Sequence, residues 1–213
     1  MLPLCVAAEW TARNTLVIEA KVVQPSALDP VLCAKIRASI LLAGPLLARC
    51  GSVTLPPPGG DVIGRRRVDT PFLALEQPGA TVDIAENYVL QSKGLRGADV
   101  FLDGPYDTGP ADAQQAASMQ PRQHPRLPGA GRPPAPAPPT YPVAMGATIE
   151  GIGTNTITIN GASSLHGTTH RIGPDHIEVG SFIGLAAVTR SELRIASAGV
   201  EHLRSTRMGF VRR

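Results

Sequence analysis

The longest apolar stretch in this chain begins at Ile36 and reads IRASILLAGPLLARC. Its content of Leu, Ile and Ala indicates a buried or half-buried helix. Asp29 is a candidate N-cap, so a helix is predicted over residues 30–49, with a bend or division at Gly44-Pro45. A strand is predicted to follow at Ser52–Leu55.

A short polar-to-aliphatic pattern occurs three times, at intervals of about seventy residues. Each copy starts at an asparagine, Asn14, Asn87 or Asn155, and continues with β-branched or aliphatic residues. The pattern predicts the second strand of a hairpin, with Asn in a turn that tolerates a positive φ. Matching first strands are predicted at 79–82 and 146–149. The recurrence therefore predicts three related units and a pseudo-threefold domain.

Further helices and strands are predicted between and after these hairpins. The helices fall at 69–77, 112–118 and 178–189, and the strands at 99–102 and 193–196. Helices that alternate with short strands and hairpins favour an α/β unit in which helices pack beneath a sheet. The sequence therefore predicts the α/β class.

Length and composition narrow the function classes. A chain of 213 residues with 43% hydrophobic residues can form one large domain or two small ones. Its 22 Gly and 21 Pro indicate short elements joined by turns. The net charge is only +3, and the arginine clusters have no stacking aromatics beside them, so nucleic-acid binding is not indicated.

The cysteines and histidines do not indicate a metal centre. Cys5, Cys33 and Cys50 form no CxxC pair, so reduced core thiols are predicted rather than a zinc site or a disulfide framework. His166 and His170 are separated by Gly-Thr-Thr, which favours a strand or turn over a ligating helix. No cofactor is predicted. The apolar start is too short for a membrane span and lacks a basic leader, so a soluble cytoplasmic protein is predicted.

The strongest candidate for chemistry is the loop that follows the predicted strand Ser52–Leu55. Three prolines and two glycines, at 56–60, exclude a helix or a central strand. Asp61 follows directly, and three arginines occupy 65–67. One carboxylate beside several guanidinium groups suits a substrate that carries phosphate or carboxylate. The alternative is an ordinary surface loop, because such loops are often rich in Pro, Gly and Arg.

Several segments together resemble one family. In chain order they are RAS, GPLLAR, GGDVIG, R-x-V-D, GATIEGIGTNTITI and GPDHIEVGSFIGLAA. This order resembles the enolpyruvyl transferase family, in its sugar-nucleotide branch. The resemblance implies two globular domains, each an inside-out α/β barrel of repeated βαβαββ units, with substrates bound between the domains. It implies a repeat domain at 1–174 and the truncated start of a second domain at 175–213.

The resemblance also implies a reaction. The family member transfers enolpyruvyl from phosphoenolpyruvate to UDP-N-acetylglucosamine and releases phosphate, by addition and then elimination, in the first committed step of peptidoglycan synthesis. These two substrates are the implied partners, and a monomer is expected. The family's Lys-Asn pair and most of the second domain are missing, so little turnover is expected from this chain alone. The alternatives are a noncatalytic remnant, a nucleotide-binding fragment, or a transferase acting on shikimate 3-phosphate.

Site residues follow from the same resemblance. Asp61 occupies the loop position where the family usually has Cys, which implies that it protonates the methylene carbon of phosphoenolpyruvate. Fosfomycin alkylates that Cys, so resistance is expected here. Arg37, in the RAS motif, and Arg66, in the loop, are implied to contact the anionic substrates. Arg67 stands where the family usually has Pro.

Three further positions are implied to bind the nucleotide. Val68, Asp69 and Thr70 align with the segment that contacts the uridine part of the sugar nucleotide. Thr70 and the following Pro71 replace the family's common Leu-His. The segment 175–180 resembles the crossing into the second domain and is interpreted as a hinge or a contact site.

The stretch 119–145 departs from the repeat, because it contains nine prolines where a strand and a helix are expected. No helix or sheet interior tolerates that density, so a polyproline-like or disordered insert is predicted. The insert is interpreted as a flexible linker, as a ligand for a proline-binding domain, or as a strand and helix lost by a reading-frame slip. The third interpretation fits best, because the family resemblance stops near Ser118 and resumes at Gly146.

Overall fold

The computed structural model describes residues 6–25, 28–60, 68–100, 116–119, 126–128, 141–151 and 156–211. The strands are β1 (Ala7–Ala12), β2 (Thr15–Glu19), β3 (Ser52–Leu55), β4 (Thr81–Ile84), β5 (Tyr88–Gln91), β6 (Arg126–Pro128), β7 (Thr148–Glu150) and β8 (Thr156–Asn160). The α-helices are α1 (Pro30–Cys33), α2 (Ala43–Cys50), α3 (Asp69–Glu76), α4 (Tyr141–Ala144), α5 (His176–Thr189) and α6 (Arg204–Val211). Two 3-10 helices span Arg37–Leu42 and Val200–His202.

Two three-stranded sheets share one topology. Their strand orders are β3-β5-β4 and β6-β8-β7, and every neighbouring pair is antiparallel. In each unit a strand comes first, a helix follows, and a hairpin places its second strand at the centre of the sheet. The predicted repetition is confirmed for these two units, which are related element by element.

The hairpins β4–β5 and β7–β8 also begin in the same way. Gly79 and Gly146, which precede them, have φ angles of +105° and +107°. Each amide donates to the carbonyl three residues back, and the following alanine amide donates to the carbonyl five residues back. Only glycine adopts such a φ without strain. The chain therefore leaves α3 and α4 through the same glycine turn before the next strand begins.

The first hairpin, β1–β2, forms a two-stranded sheet of its own. Its strands are largely exposed, and Trp10 keeps 69% of its surface accessible. Asn14 and Asn87 lie between the two strands of their hairpins, as predicted, and neither uses the positive φ that asparagine tolerates. Among non-glycine residues in the described part of the chain, positive φ angles occur at Arg190 and Ser197 instead. Asn155 lies outside the described residues.

The predicted helix over 30–49 is divided, but not where the sequence indicated. The Asp29 side chain caps α1 as predicted, accepting from the Val31 and Leu32 amides at 2.8 and 3.3 Å. The helix then breaks at 34–36 and continues as the 3-10 helix and α2. Gly44-Pro45 lies in the first turn of α2. Proline is tolerated there because the first amides of a helix have no intrahelical partner.

The stretch 119–145 is not wholly irregular, so the prediction of a disordered insert is wrong in part. Residues 126–128 form β6, and residues 141–144 form α4. These are the strand and the helix that the repeat requires, so the prediction that both were lost is also wrong. Pro128 is accommodated because β6 is an edge strand. The outer side of an edge strand pairs with no other strand of its sheet, so an amide hydrogen is not needed there.

Of the remaining predicted helices and strands, some are confirmed and others are wrong. The helix at 69–77 is confirmed as α3, and the one at 178–189 as α5, which begins two residues earlier because the Asp175 side chain accepts from the amides of residues 177 and 178. Residues 116–118 are helical. The strand at 193–196 is wrong, since none of the three described sheets supplies it with a partner strand. In the strand predicted at 99–102, Asp99 makes only an isolated bridge, and residues 101 and 102 lie outside the described part.

The main core lies between the helices and the sheet β3-β5-β4. Its largest buried side chains come from the 3-10 helix, α2, α3 and that sheet: Ile40, Leu47, Leu55, Phe72, Leu75 and Leu90. Phe72 meets Tyr88 edge to face, with ring centroids 5.0 Å apart. A smaller cluster joins Ala74 to residues of the second three-stranded sheet. Helices packed against sheets confirm the predicted α/β class.

No helix in the described part of the chain combines the length and hydrophobicity that crossing a bilayer requires.

We predict that Leu90→Ala lowers the free energy of unfolding by about 2–5 kcal/mol, because it opens a cavity at a central-strand position with no solvent exposure. Ile84→Ala in the neighbouring strand is the control, since Ile84 is 57% exposed, and it should cost about 0.5 kcal/mol or less. Urea denaturation followed by circular dichroism measures both. Equal losses in the two variants would contradict the position of the core.

Candidate functional site

The candidate loop is fixed where it passes the break in the first helix. The Gly59 amide donates to the Cys33 carbonyl at 3.1 Å. A Cβ atom on Gly59 would lie 1.5 Å from the Ala34 carbonyl oxygen, a distance that no side chain can accept. Residue 59 must therefore be glycine for the loop to contact the break.

The second glycine brings the loop against Arg37. Gly60 has a φ of +90°, and a Cβ atom there would lie 3.0 Å from the Arg37 backbone nitrogen. Gly60 is therefore needed for its conformation as well as for space. Asp61 is the next residue in the chain and lies outside the described residues, as do Arg66 and Arg67. The structure thus brings together Arg37 and the residue that immediately precedes the candidate acid.

A buried serine closes the break in the helix. Ser39 is 5% exposed, and its hydroxyl lies 2.9 Å from the Ile36 carbonyl oxygen and 3.2 Å from that of Cys33. Breaking a helix leaves such carbonyls without intrahelical donors, and this hydroxyl supplies one. Ser39 was not predicted as a site residue, although it is the last residue of the RAS motif. The double glycine, Gly59-Gly60, was the other feature of the sequence that could have indicated a close contact between the loop and the helix break.

The predicted substrate-binding residues that are described lie at the beginnings of helices. Arg37 is half-buried and is the first residue of its 3-10 helix. Val68 packs against the main core, and Asp69 is the first residue of α3, where a carboxylate interacts favourably with the helix dipole. Thr70 is the second residue of α3, and its side chain lies outside the described part.

Metal ligation finds no support in the described ranges. There, no three His, Cys, Asp or Glu side chains are grouped to hold an ion. His166 contacts the Gly167 carbonyl oxygen through Nδ1 at 3.0 Å, and His170 lies edge to face with Tyr141. Both histidines lie in irregular backbone, in agreement with the prediction that they do not share a helix.

The Cys33 thiol has an altered acidity. Burial raises the pKa of Cys33 above its ordinary value, and the negative charge of Asp29 raises that pKa further. Folding therefore favours the protonated thiol. The stabilisation linked to this raised pKa is fully present below the ordinary thiol pKa, and it is lost as the pH rises through the pKa of Cys33 in the folded protein.

Comparison with known proteins gives consistent results. The family model described as EPSP synthase (3-phosphoshikimate 1-carboxyvinyltransferase) matches residues 143–212. A UDP-N-acetylglucosamine 1-carboxyvinyltransferase of Bradyrhizobium diazoefficiens is 60% identical over 206 residues, covering 97% of this chain and 48% of the relative. One from Treponema denticola is 46% identical over 202 residues, covering 95% of this chain and 47% of the relative. The chain therefore spans about half the length of the curated relatives it matches.

Solved structures show the same fold. The enolpyruvyl transferase NikO from Streptomyces tendae superposes with a TM-score of 0.69 at 21% identity, over 84% of this chain and 43% of that one. EPSP synthase from Acinetobacter baumannii gives a TM-score of 0.60 at 17% identity, over 87% of this chain and 43% of that one. The repeated units and these solved structures agree that the fold is that of the enolpyruvyl transferases. In sequence the chain is similar to the UDP-N-acetylglucosamine 1-carboxyvinyltransferases named above.

We predict that iodoacetamide alkylates Cys33 more slowly than the half-buried Cys50 at mildly alkaline pH, because burial limits access and the raised pKa leaves little thiolate. Asp29→Asn removes the charge but retains an oxygen that can cap α1, so it should increase the rate at Cys33. Peptide mass spectrometry measures each rate separately. An unchanged Cys33 rate in Asp29→Asn would contradict the electrostatic part.

Proposed function

We propose that the protein transfers the enolpyruvyl group of phosphoenolpyruvate to a hydroxyl of UDP-N-acetylglucosamine, as its relatives' names indicate. The observation that carries this proposal is the docking of Gly59 and Gly60 beside Arg37, in a chain 60% identical to such a transferase. The docking supports a site in which a cation and the residue after Gly60 act on one substrate. Because the chain spans about half of its relatives, the activity belongs to the longer protein.

The proposed chemistry assigns different roles to Asp61 and the arginines. Asp61 gives a proton to the methylene carbon of phosphoenolpyruvate, while the sugar hydroxyl bonds through its oxygen to the adjacent carbon and releases its proton to water. The new methyl group then returns a proton to the Asp61 carboxylate, which restores the double bond as the carbon–oxygen bond to phosphate breaks and phosphate leaves. Arg37, Arg66 and Arg67 bind the phosphate and carboxylate groups. Asp61 can give this proton only while its carboxyl group is protonated, a form that neighbouring bound anions favour.

The nucleotide is proposed to lie at the start of α3. Val68, Asp69 and Thr70 occupy its N-cap and first two positions. Backbone amides at this end of a helix have no intrahelical acceptor, so they suit the carbonyl oxygens and phosphates of a uridine nucleotide. The packing of Val68 on the core supports a fixed position for this end.

The domain organisation remains part of the proposal. Residues 1–174 form the repeat domain, and 175–213 begin a second domain that supplies the other wall of the substrate cleft. The family resemblance implies a monomer that acts in the cytoplasm, in the first committed step of peptidoglycan synthesis. A noncatalytic fragment that binds only the nucleotide is the form expected of this chain by itself.

A second acceptor is favoured by one observation. The family model that matches 143–212 is described for 3-phosphoshikimate 1-carboxyvinyltransferase. Shikimate 3-phosphate would use the same arginines but no uridine contact at α3. Thermal-shift titration with each acceptor separates the two functions, and stabilisation by shikimate 3-phosphate alone would favour the second.

We predict that UDP-N-acetylglucosamine raises the melting temperature of this chain, and that Arg37→Ala weakens its binding about tenfold or more, because hydrogen bonds to charged groups contribute about 1.5–3 kcal/mol. The exposed Arg171 provides a matched control, and Arg171→Ala should bind as the unmodified chain does. Isothermal titration calorimetry gives both dissociation constants. Equal affinities in the two variants would contradict a substrate-binding role for Arg37.

We predict that Asp61→Asn lowers phosphate release by about 10²–10⁴-fold, the usual contribution of a general acid. The assay uses a chimera in which this chain replaces the matching half of the Bradyrhizobium relative, so that a full-length protein is measured. Asp83→Asn, at an exposed position of β4, is the control and should leave turnover unchanged. Full turnover in Asp61→Asn would exclude the acid role.

A further inference from the structure

The backbone carbonyl of Cys33 joins the helix break to the candidate loop. Cys33 is the last residue of α1, so its carbonyl lies among the acceptors that a helix end leaves unpaired. It receives the Gly59 amide at 3.1 Å and the Ser39 hydroxyl at 3.2 Å, with the Ile36 amide at 3.4 Å. The loop and the RAS motif therefore meet at one oxygen atom.

Ser39 controls the shape of the surface on which Gly59 rests. Its hydroxyl reaches the carbonyls on both sides of the break, those of Cys33 and Ile36. Ala34, whose carbonyl leaves no room for a side chain at position 59, lies between these two anchored carbonyls. Loss of the hydroxyl would leave the Cys33 carbonyl with the Gly59 and Ile36 amides alone and the Ile36 carbonyl with the long bond from the Ser39 amide, and would loosen the 34–36 turn.

We propose that Ser39 and Gly59 are positioning residues of the candidate site, holding the start of the loop against Arg37 through the Cys33 carbonyl. This anchor, which consists of the hydrogen bonds from Ser39 and Gly59 to the Cys33 carbonyl, keeps Gly60 beside the Arg37 backbone nitrogen. The separation of Arg37 and Gly60 is therefore set by contacts that do not involve substrate. The anchor rests on the described geometry alone, whereas its effect on substrate binding rests on the proposed function.

Hydrogen exchange tests the anchor without any ligand. Pro56, Pro57 and Pro58 carry no amide hydrogen, so a peptide covering 56–60 reports only the amides of residues 59 and 60. We expect one of the two amides, that of Gly59, to exchange slowly in the unmodified chain and about tenfold faster or more in Ser39→Ala and Gly59→Ala. Ser39→Thr keeps the hydroxyl and should restore slow exchange.

Two controls separate anchoring from general destabilisation. Gly167→Ala is a matched glycine substitution, because nothing lies within 4 Å of its added Cβ atom, and it should leave exchange at 56–60 unchanged. A peptide covering β5 reports the core. Exchange that rises equally at 56–60 and in β5, or fails to rise at 56–60 in Ser39→Ala, would overturn the proposal.

Binding measurements distinguish the anchor from the proposed function. Titration of UDP-N-acetylglucosamine should show affinity about tenfold weaker for Ser39→Ala than for the unmodified chain, with recovery in Ser39→Thr. If the unmodified chain binds no sugar nucleotide but its exchange pattern is as expected, the proposed function fails and the anchor stands. If the nucleotide binds equally to Ser39→Ala and the unmodified chain, Ser39 does not position the site.

Discussion

The burial of α3 against two apolar clusters is the constraint on which the two repeated units depend. Phe72 and Leu75 pack into the main core, and Ala74, with no solvent exposure, packs into the cluster of the second three-stranded sheet. A helix that is apolar on both sides can be stable only when it is covered on both sides. The first unit therefore supplies part of the second unit's core through Ala74, while Val68, at the start of α3, packs against the main core.

The repeated elements could be predicted because their signals are local. Glycine with a positive φ before Ala-Thr marks the hairpins β4–β5 and β7–β8, and Asp29 and Asp175 mark helix starts by short-range hydrogen bonds. The break at 34–36 gave no such signal, because the apolar periodicity continues across it. In the stretch 119–145, proline content hid a strand and a helix, since sequence alone does not reveal that a strand lies at a sheet edge.

The candidate site was predictable in part. Chain order and residue type indicated Arg37 and the loop, but not that the start of the loop, at Gly59 and Gly60, contacts the helix break and Arg37. That contact joins Ala34 to Gly59, which are distant in sequence and bear no charge, so neither periodicity nor electrostatics signals it. Ser39 was missed for a related reason, because a buried serine within an apolar run has the same pattern as a small core residue.

The edge position of β6 affects the behaviour of the protein in concentrated solution. An open sheet edge offers a row of amide and carbonyl groups to which another chain can add. Pro128 removes one donor from a strand of only three residues. A second copy of the chain therefore finds too few hydrogen bonds to extend the sheet sideways, and lateral polymerisation through this edge is disfavoured.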